Sequence, residues 1–220
     1  LIKLLMDKLL PRSGHIDYGY NVDIGYYDQE NQNLTDSNTV LDELWDTYPS
    51  LTQTEIRNTL ALFMFRGEDI EKEVSVLSGG ERARLTLAKL ILSKMNLLIL
   101  DEPTRGIDVN AKYEIYCIIN QLVAEGKSVI MISSELPEVL GMSDRIYVMN
   151  EGRMVGEFKG SEATQEGIMA CILKSSKKQN LIIIHNSICS INFNIFIYLH
   201  CKFIFLVHTN PYLFSSTCFI

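Results

Sequence analysis

Acidic residues are missing from the whole end of this sequence: beyond Glu166 there is not one Asp or Glu. Up to that point charged and apolar residues are interspersed, as in a soluble domain. Cysteine is sparse and poorly spaced for chemistry. Cys117, Cys171, Cys189, Cys201 and Cys218 are odd in number and contain no Cys-x-x-Cys pair. Neither a disulfide framework nor a zinc site is indicated, and a reducing compartment is expected. An uninterrupted apolar leader is absent too, because Lys3, Asp7 and Lys8 punctuate the first ten residues. The first residue is not Met, so the chain is expected to have lost its beginning. Excess positive charge is lacking: 20 basic against 27 acidic residues give a formal charge of -7, which argues against holding nucleic acid by bulk electrostatics. At 220 residues the chain can bury an ordinary core.

The acid-free end reads "LIIIHNSICSINFNIFIYLHCKFIFLVHTNPYLFSSTCFI" and has no clear period of two or 3.6. A membrane span over Ile191 to Val207 has to bury Asn192, Asn194, His200 and Lys202, which is expensive in lipid. Residues 174–220 are therefore expected to be an unstructured or aggregation-prone tail and not a domain.

The remainder has regular grammar. Leu1, Leu4, Leu5 and Leu9 make a helical stripe that "PRSG" stops. "HIDYGY" and "VDIGYY" read as short strands joined at Asn21. "NTVLDELWDTYP" and "TQTEIRNTLALFMF" read as helices, the second with a Thr52/Glu55 capping box. After a strand at Leu97 to Leu100 come a helix over about 110–124, a strand "SVIMIS" and a short helix from Pro137. Strand "RIYVMN", the turn "NEG" and strand "RMVGEF" make a hairpin, and "ATQEGIMACIL" is a last helix. Strands alternating with helices predict an α/β domain built on mainly parallel sheet.

Two stretches carry chemistry. In "LLILDE" four apolar residues suit a strand buried on both faces, and Asp101 and Glu102 fall at its carboxyl end, where open α/β sheets bind ligands. Asp101 is placed to hold magnesium, directly or through water, and Glu102 to orient and deprotonate an attacking water. Two exposed loop acids are the plain alternative for this strand taken alone. In "LSGGE", Ser78 is a good N-cap, while Gly79 and Gly80 permit close backbone approach, so that free helix amides can face a phosphate. Simple capping accounts for Ser78 by itself. It does not account for Ser-Gly-Gly-Glu at this distance from a buried strand ending in Asp-Glu.

Together "LSGGERARLTLAKLIL" and "LLILDEPT" resemble the signature and Walker B motifs of the ATP-binding cassette (ABC) superfamily. The resemblance implies a P-loop NTPase-type α/β fold with a helical subdomain over about 40–77 within a partial cassette at 1–173. It also implies magnesium-dependent binding and hydrolysis of ATP. Ser78, Gly79, Gly80 and Glu81 stand at the signature. Gln29 in "GYYDQE" matches the Q-loop glutamine that reaches magnesium and the attacking water, and Asp108 in "RGIDV" matches the D-loop. A surface glutamine and a helix N-cap are the respective bland readings. The partner implied is a second cassette bound head to tail, with a transporter membrane subunit or the ribosome beyond it. No DNA binding is expected, and the location implied is cytoplasmic or peripheral at the inner membrane face.

Two departures qualify this expectation. The family's phosphate loop, Gly-x-x-x-x-Gly-Lys-Ser/Thr, leads into a helix like "LIKLLMDKLLPRSG", where this chain begins, and the loop occurs nowhere in the 220 residues. Walker A and the first strands are expected to be missing, leaving the chain inactive alone. Ser134 stands in the switch-histidine position, where a hydroxyl cannot carry the charge available to imidazole. Residues 1 to about 100 resemble the second cassette of ABC-F translation factors. From Asp101 to about 173 the sequence resembles the second cassette of ribose/galactose-type importer ATPases. A join near Thr104 is the expectation drawn from that split. Two other functions stay open: an interaction module that lends its signature to a partner without hydrolysing ATP, and a hybrid gene fragment without activity.

Overall fold

The computed structural model describes residues 2–28, 33–180 and 201–208. Two compact units divide the chain, one up to Val129 and one over Ile130–His208.

The first unit opens with α1 (Ile2–Leu5), a single turn. The leucine stripe predicted to continue to Leu9 does not. Asp7 adopts φ 55, and the amides of Lys8 and Leu9 both donate to the Lys3 carbonyl, so the chain reverses and leaves Leu9 and Leu10 exposed. The predicted strand "HIDYGY" is also absent. The segment instead hangs on local side-chain contacts, with the Tyr18 hydroxyl donating to the Leu5 carbonyl at 2.5 Å and His15 3.1 Å from Asp17. Asn21 does make a left-handed turn (φ 57), after which β1 (Ile24–Asp28) pairs in parallel with β2 (Leu97–Asp101). Leu97, Leu98, Ile99 and Leu100 are each no more than 1% exposed, as a strand covered on both faces requires.

Between these strands lie α2 (Val40–Thr47), α3 (Gln53–Leu62), two short 3-10 turns and α4 (Gly79–Leu92). Thr39 caps α2, and Thr52 with Glu55 closes the expected capping box on α3. α2 and α4 are joined by charge. Glu43, 2% exposed, lies 2.5 Å from Lys89 and also accepts from the Thr35 amide at 3.1 Å and Asn38 Nδ2 at 3.2 Å. After β2 comes α5 (Val109–Ala124). Gly126 at φ 88 ends it, with the Gly126 and Lys127 amides donating to the carbonyls of Val123 and Leu122.

The unit boundary falls inside β3 (Ser128–Ser133). The second unit continues with α6 (Leu136–Met142), the β4 (Arg145–Asn150) and β5 (Arg153–Lys159) hairpin, and α7 (Gln165–Asn180). Ile168 and Ile172 of α7 are buried, and Asn150 Nδ2 donates to Ser175 Oγ at 2.7 Å. The tail departs from expectation over one stretch: β6 (Cys201–His208) pairs antiparallel with β4, from Arg145 opposite Leu206 to Asn150 opposite Cys201. A rich supply of β-branched and aromatic residues suits that pairing even without strict alternation. Residues 191–200 of the considered membrane span lie outside the described residues. Among those described, no helix is long and apolar enough to cross a membrane.

Candidate functional site

The first unit gathers most of the sequence-predicted residues around two helix N-termini and one strand end. Ser78 caps α4 in a closed capping box. The Glu81 amide donates to Ser78 Oγ at 3.3 Å, and the Ser78 amide donates to Glu81 Oε2 at 2.8 Å. The Ser78 hydroxyl also donates to Glu81 Oε2, at 2.7 Å. Burial pushes the Glu81 carboxyl up, but the hydrogen bonds from Ser78 and the charges of Lys72 and Arg84 outweigh it, so Glu81 sits below the usual carboxylate range. Ser78 and Glu81 thus first satisfy the helix start and each other. The amides of Gly79 and Gly80 belong to the first turn, which has no intrahelical partner.

The two glycines are not equivalent. Gly79 is exposed, and a Cβ placed on it meets nothing within 4 Å. Gly80 is buried, and a Cβ there falls 2.5 Å from Ala111 Cβ and 3.5 Å from Ile107 Cγ2. Close backbone approach was expected at both positions; at Gly80 the approaching neighbour is α5. Asp108 caps that helix by accepting from the amides of Asn110 and Ala111 at 3.1 and 3.0 Å. One turn further along, Arg84 of α4 is ion-paired with Glu114 of α5. The Ser78 and Asp108 caps therefore open two helices that are packed together in their first turns.

Asp101 ends β2 beside Asp28, its register partner on β1. Sequence reasoning passed over Asp28, although a Tyr-rich strand ending in Asp immediately before Gln29 was a usable signal. Both acids act on Tyr26: burial first, then Asp28 and Asp101, push its hydroxyl pKa up to about 12. Glu102 follows in the left-handed region at φ 48 and is 6% exposed, so the plain alternative of an exposed loop acid fails for it. Such a conformation costs a non-glycine residue about 1 kcal/mol or more. Thr104 is buried as well, and the Arg105 and Ile107 amides donate to the carbonyls of Glu102 and Thr104 at 3.2 Å, closing a tight loop between β2 and α5.

Ser134 belongs to the second unit, where the preceding residue organises the turn. Ser133 is fully buried, donates its hydroxyl to buried Glu138 and accepts from the Glu135 amide at 2.9 Å. Ser134 itself is partly exposed. This serine-glutamate pair was not anticipated from the sequence, where "SSELPE" offers two serines without saying which is buried. Gln29 lies outside the described residues.

The donor set at the β1 and β2 ends suits a hard divalent cation: two carboxylates on neighbouring strands offer oxygen ligands and leave positions for phosphate oxygens or water. Among the described residues no group of three or more His, Cys, Asp or Glu gathers as a metal site. A magnesium ion held by Asp101 and Asp28 would have to complete its shell from substrate and solvent.

Known proteins resemble the chain over part of its length. The chain is 62% identical over 102 residues to the xylose import ATP-binding protein XylG of Geobacillus kaustophilus (strain HTA426), covering 46% of this chain and 20% of that protein. It is 58% identical over 112 residues to the putative ATP-binding protein YdiF of Bacillus subtilis (strain 168), covering 51% and 17%. With the L-arabinose transport ATP-binding protein AraG of Geobacillus stearothermophilus it shares 54% identity over 114 residues, 52% of this chain and 22% of that one. The chain therefore spans about a fifth of the length of these relatives. The dimeric ATP-binding cassette MJ0796, solved in a post-hydrolysis state with ADP and Pi, superposes with a TM-score of 0.54 at 19% identity over 63% of each chain, a likeness of fold. Residues 1–105 match the ABC transporter family model, and the α/β fold is like that of the solved ATP-binding cassette.

Proposed function

We propose that this chain forms part of an ABC-type ATPase, contributing the signature face and the Walker B carboxylates to a composite ATP site made with a second cassette. The observation that carries the reading is the pair of packed helix N-termini, capped by Ser78 and Asp108, in the same unit as a buried strand that ends in Asp101 and is followed by Glu102. The Gly79 and Gly80 amides, which have no partner within the helix, and the positive end of the helix dipole favour a polyphosphate. Ser78, Gly79, Gly80 and Asp108 then face the nucleotide held by the partner, with Glu81 fixing the Ser78 cap. Asp101, with Asp28 beside it and Gln29 following, holds magnesium, which when bound offsets the charge of the phosphates. Glu102, held by its tight loop, accepts the proton of the attacking water. At the switch-histidine position of the sequence Ser134 would offer only a neutral hydroxyl donor.

The 220 residues contain no Gly-x-x-x-x-Gly-Lys-Ser/Thr. Without its lysine and amide cradle, Asp101 and Glu102 would meet a polyanion with little positive charge to offset them. The purified chain is therefore expected to bind no ATP by itself and to join, in magnesium-ATP, a second cassette that carries an intact phosphate loop. Isothermal titration with ATP and light scattering of the mixture measure both. Tight ATP binding by the chain alone, or no ATP-dependent pairing with any cassette, would count against the donor role.

Sugar import is the process this reading favours, since XylG and AraG are named for xylose import and arabinose transport. The cytoplasmic face of a membrane and a transporter membrane subunit follow from that reading. A hybrid origin, with an ABC-F-like part up to about residue 100 and a join near Thr104, rests on the two sequence resemblances alone. Sequencing the locus across the codons for Leu97 to Thr104 and upstream of Leu1 decides between a join and a continuous gene.

A further inference from the structure

We infer that Ala111 is a positioning residue: its methyl group, seated against Gly80, sets the separation of the two capped helix N-termini and is the reason position 80 must be glycine. The consequence for nucleotide rests on the proposed function above; the packing claim does not.

The geometry leaves little choice. A Cβ on residue 80 would lie 2.5 Å from Ala111 Cβ, well inside contact distance, with Ala111 Cα at 3.8 Å behind it. A methyl carbon on a helix has no rotamer with which to retreat, so α4 and α5 would have to move apart as backbones. The same seam continues one turn along, where Arg84 is paired with Glu114, so movement at Gly80 also strains an ion pair whose arginine is mostly buried. At the other end of the contact Ala111 is itself a capped residue, its amide donating to Asp108 Oδ1 at 3.0 Å. Displacing Ala111 therefore disturbs the Asp108 cap directly. Gly79, one residue earlier, has open space around it and carries none of this constraint.

Helix propensity predicts the opposite sign, which makes the inference testable. Gly80→Ala places a better helix former in α4, and Ala111→Gly places a worse one in α5. If propensity governed, the first substitution would stabilise, the second would destabilise, and the double variant would fall between them. If the Gly80 seam governs, Gly80→Ala destabilises and adding Ala111→Gly restores, because the pair has only exchanged its methyl group.

The full chain is used for the test, with thermal unfolding and amide hydrogen exchange as readouts. In Gly80→Ala we expect a lower unfolding midpoint and exchange at the residue 110 and 111 amides faster by roughly tenfold. Gly79→Ala should leave both amides protected. Gly80→Ala/Ala111→Gly should recover the midpoint and the protection. An unchanged or raised midpoint in Gly80→Ala, or a double variant no better than Gly80→Ala, overturns the inference. ATP-dependent pairing with a phosphate-loop cassette supplies the functional arm. Recovery of pairing in the double variant supports Ala111 as a positioning residue. Recovered protection without recovered pairing means that residue 80 serves the nucleotide directly, and overturns it. A failure of the unsubstituted chain to pair concerns the proposed function alone, since the exchange readouts still decide the seam.

Discussion

Tyr26 and Glu81 report on the two halves of the site through acid-base behaviour of opposite sign. The folded chain holds the Tyr26 hydroxyl protonated to about pH 12 through burial and the nearby carboxylates Asp28 and Asp101. A group whose pKa is raised on folding contributes stability below its unfolded value, and that stability is lost as pH rises through the folded one. Alkaline destabilisation is therefore expected between about pH 10 and 12, and Tyr26→Phe should flatten it in urea unfolding followed over that range. Glu81 is the converse case. Its depressed carboxyl contributes stability above its unfolded pKa, and this is lost as the pH falls through the depressed folded value. Glu81→Gln should be least harmful at low pH, and a stability difference from the unsubstituted chain that grows on acidification would contradict this account. At Glu102 the interest is catalytic. In a chain extended with a complete phosphate loop and its preceding strand, Glu102→Gln should leave ATP binding intact and abolish turnover, because an amide keeps the shape but accepts no proton. Turnover and nucleotide affinity, measured on the same preparation, separate the two effects.

At the level of elements, caps and one buried ion pair hold the helices in place. Ser78→Ala removes the acceptor for the Glu81 amide and should cost about 1 kcal/mol in denaturant unfolding. The Glu43 and Lys89 pair is a different case, because Glu43 is buried and further bound by Thr35 and Asn38. Lys89→Met leaves that carboxylate without its cation and should cost about 3 kcal/mol, while Glu43→Gln combined with Lys89→Met should cost less than Lys89→Met alone. These elements were readable to different degrees. The Thr52/Glu55 capping box, the Ser78 N-cap and the four-residue apolar run of β2 are local signals, and they appear where the sequence puts them. "HIDYGY" carries strand propensity of the same quality as "VDIGYY", yet only the second finds a strand to pair with, since Asp23 and Asn96 bring the starts of β1 and β2 together. Strand propensity is permission, and pairing is a tertiary event.

Across the whole molecule, the second unit shows that logic at the tail. No period marks residues 201–208 in advance, and the strand there exists through its antiparallel register with β4. A chain ended after residue 180 should therefore show faster amide exchange along Arg145–Asn150; unchanged protection would mean that β4 does not depend on that pairing. By itself the sequence set the chemistry proposed for the candidate site, because residue types suited to phosphate, magnesium and a proton stand in two short stretches of fixed spacing, 77–81 and 97–102. It determined the caps as well, since Ser78 and Asp108 act on amides two or three residues away. Tertiary structure alone decided which glycine is a packing residue, which aspartate lies beside Asp101 and which serine is buried. Gly80 meets Ala111, Asp28 meets Asp101 and Ser133 lies fully buried through folding of the chain, and such long-range neighbours and burial are set by how helices and strands pack. Spacing along the sequence fixes only what one turn or one strand can reach.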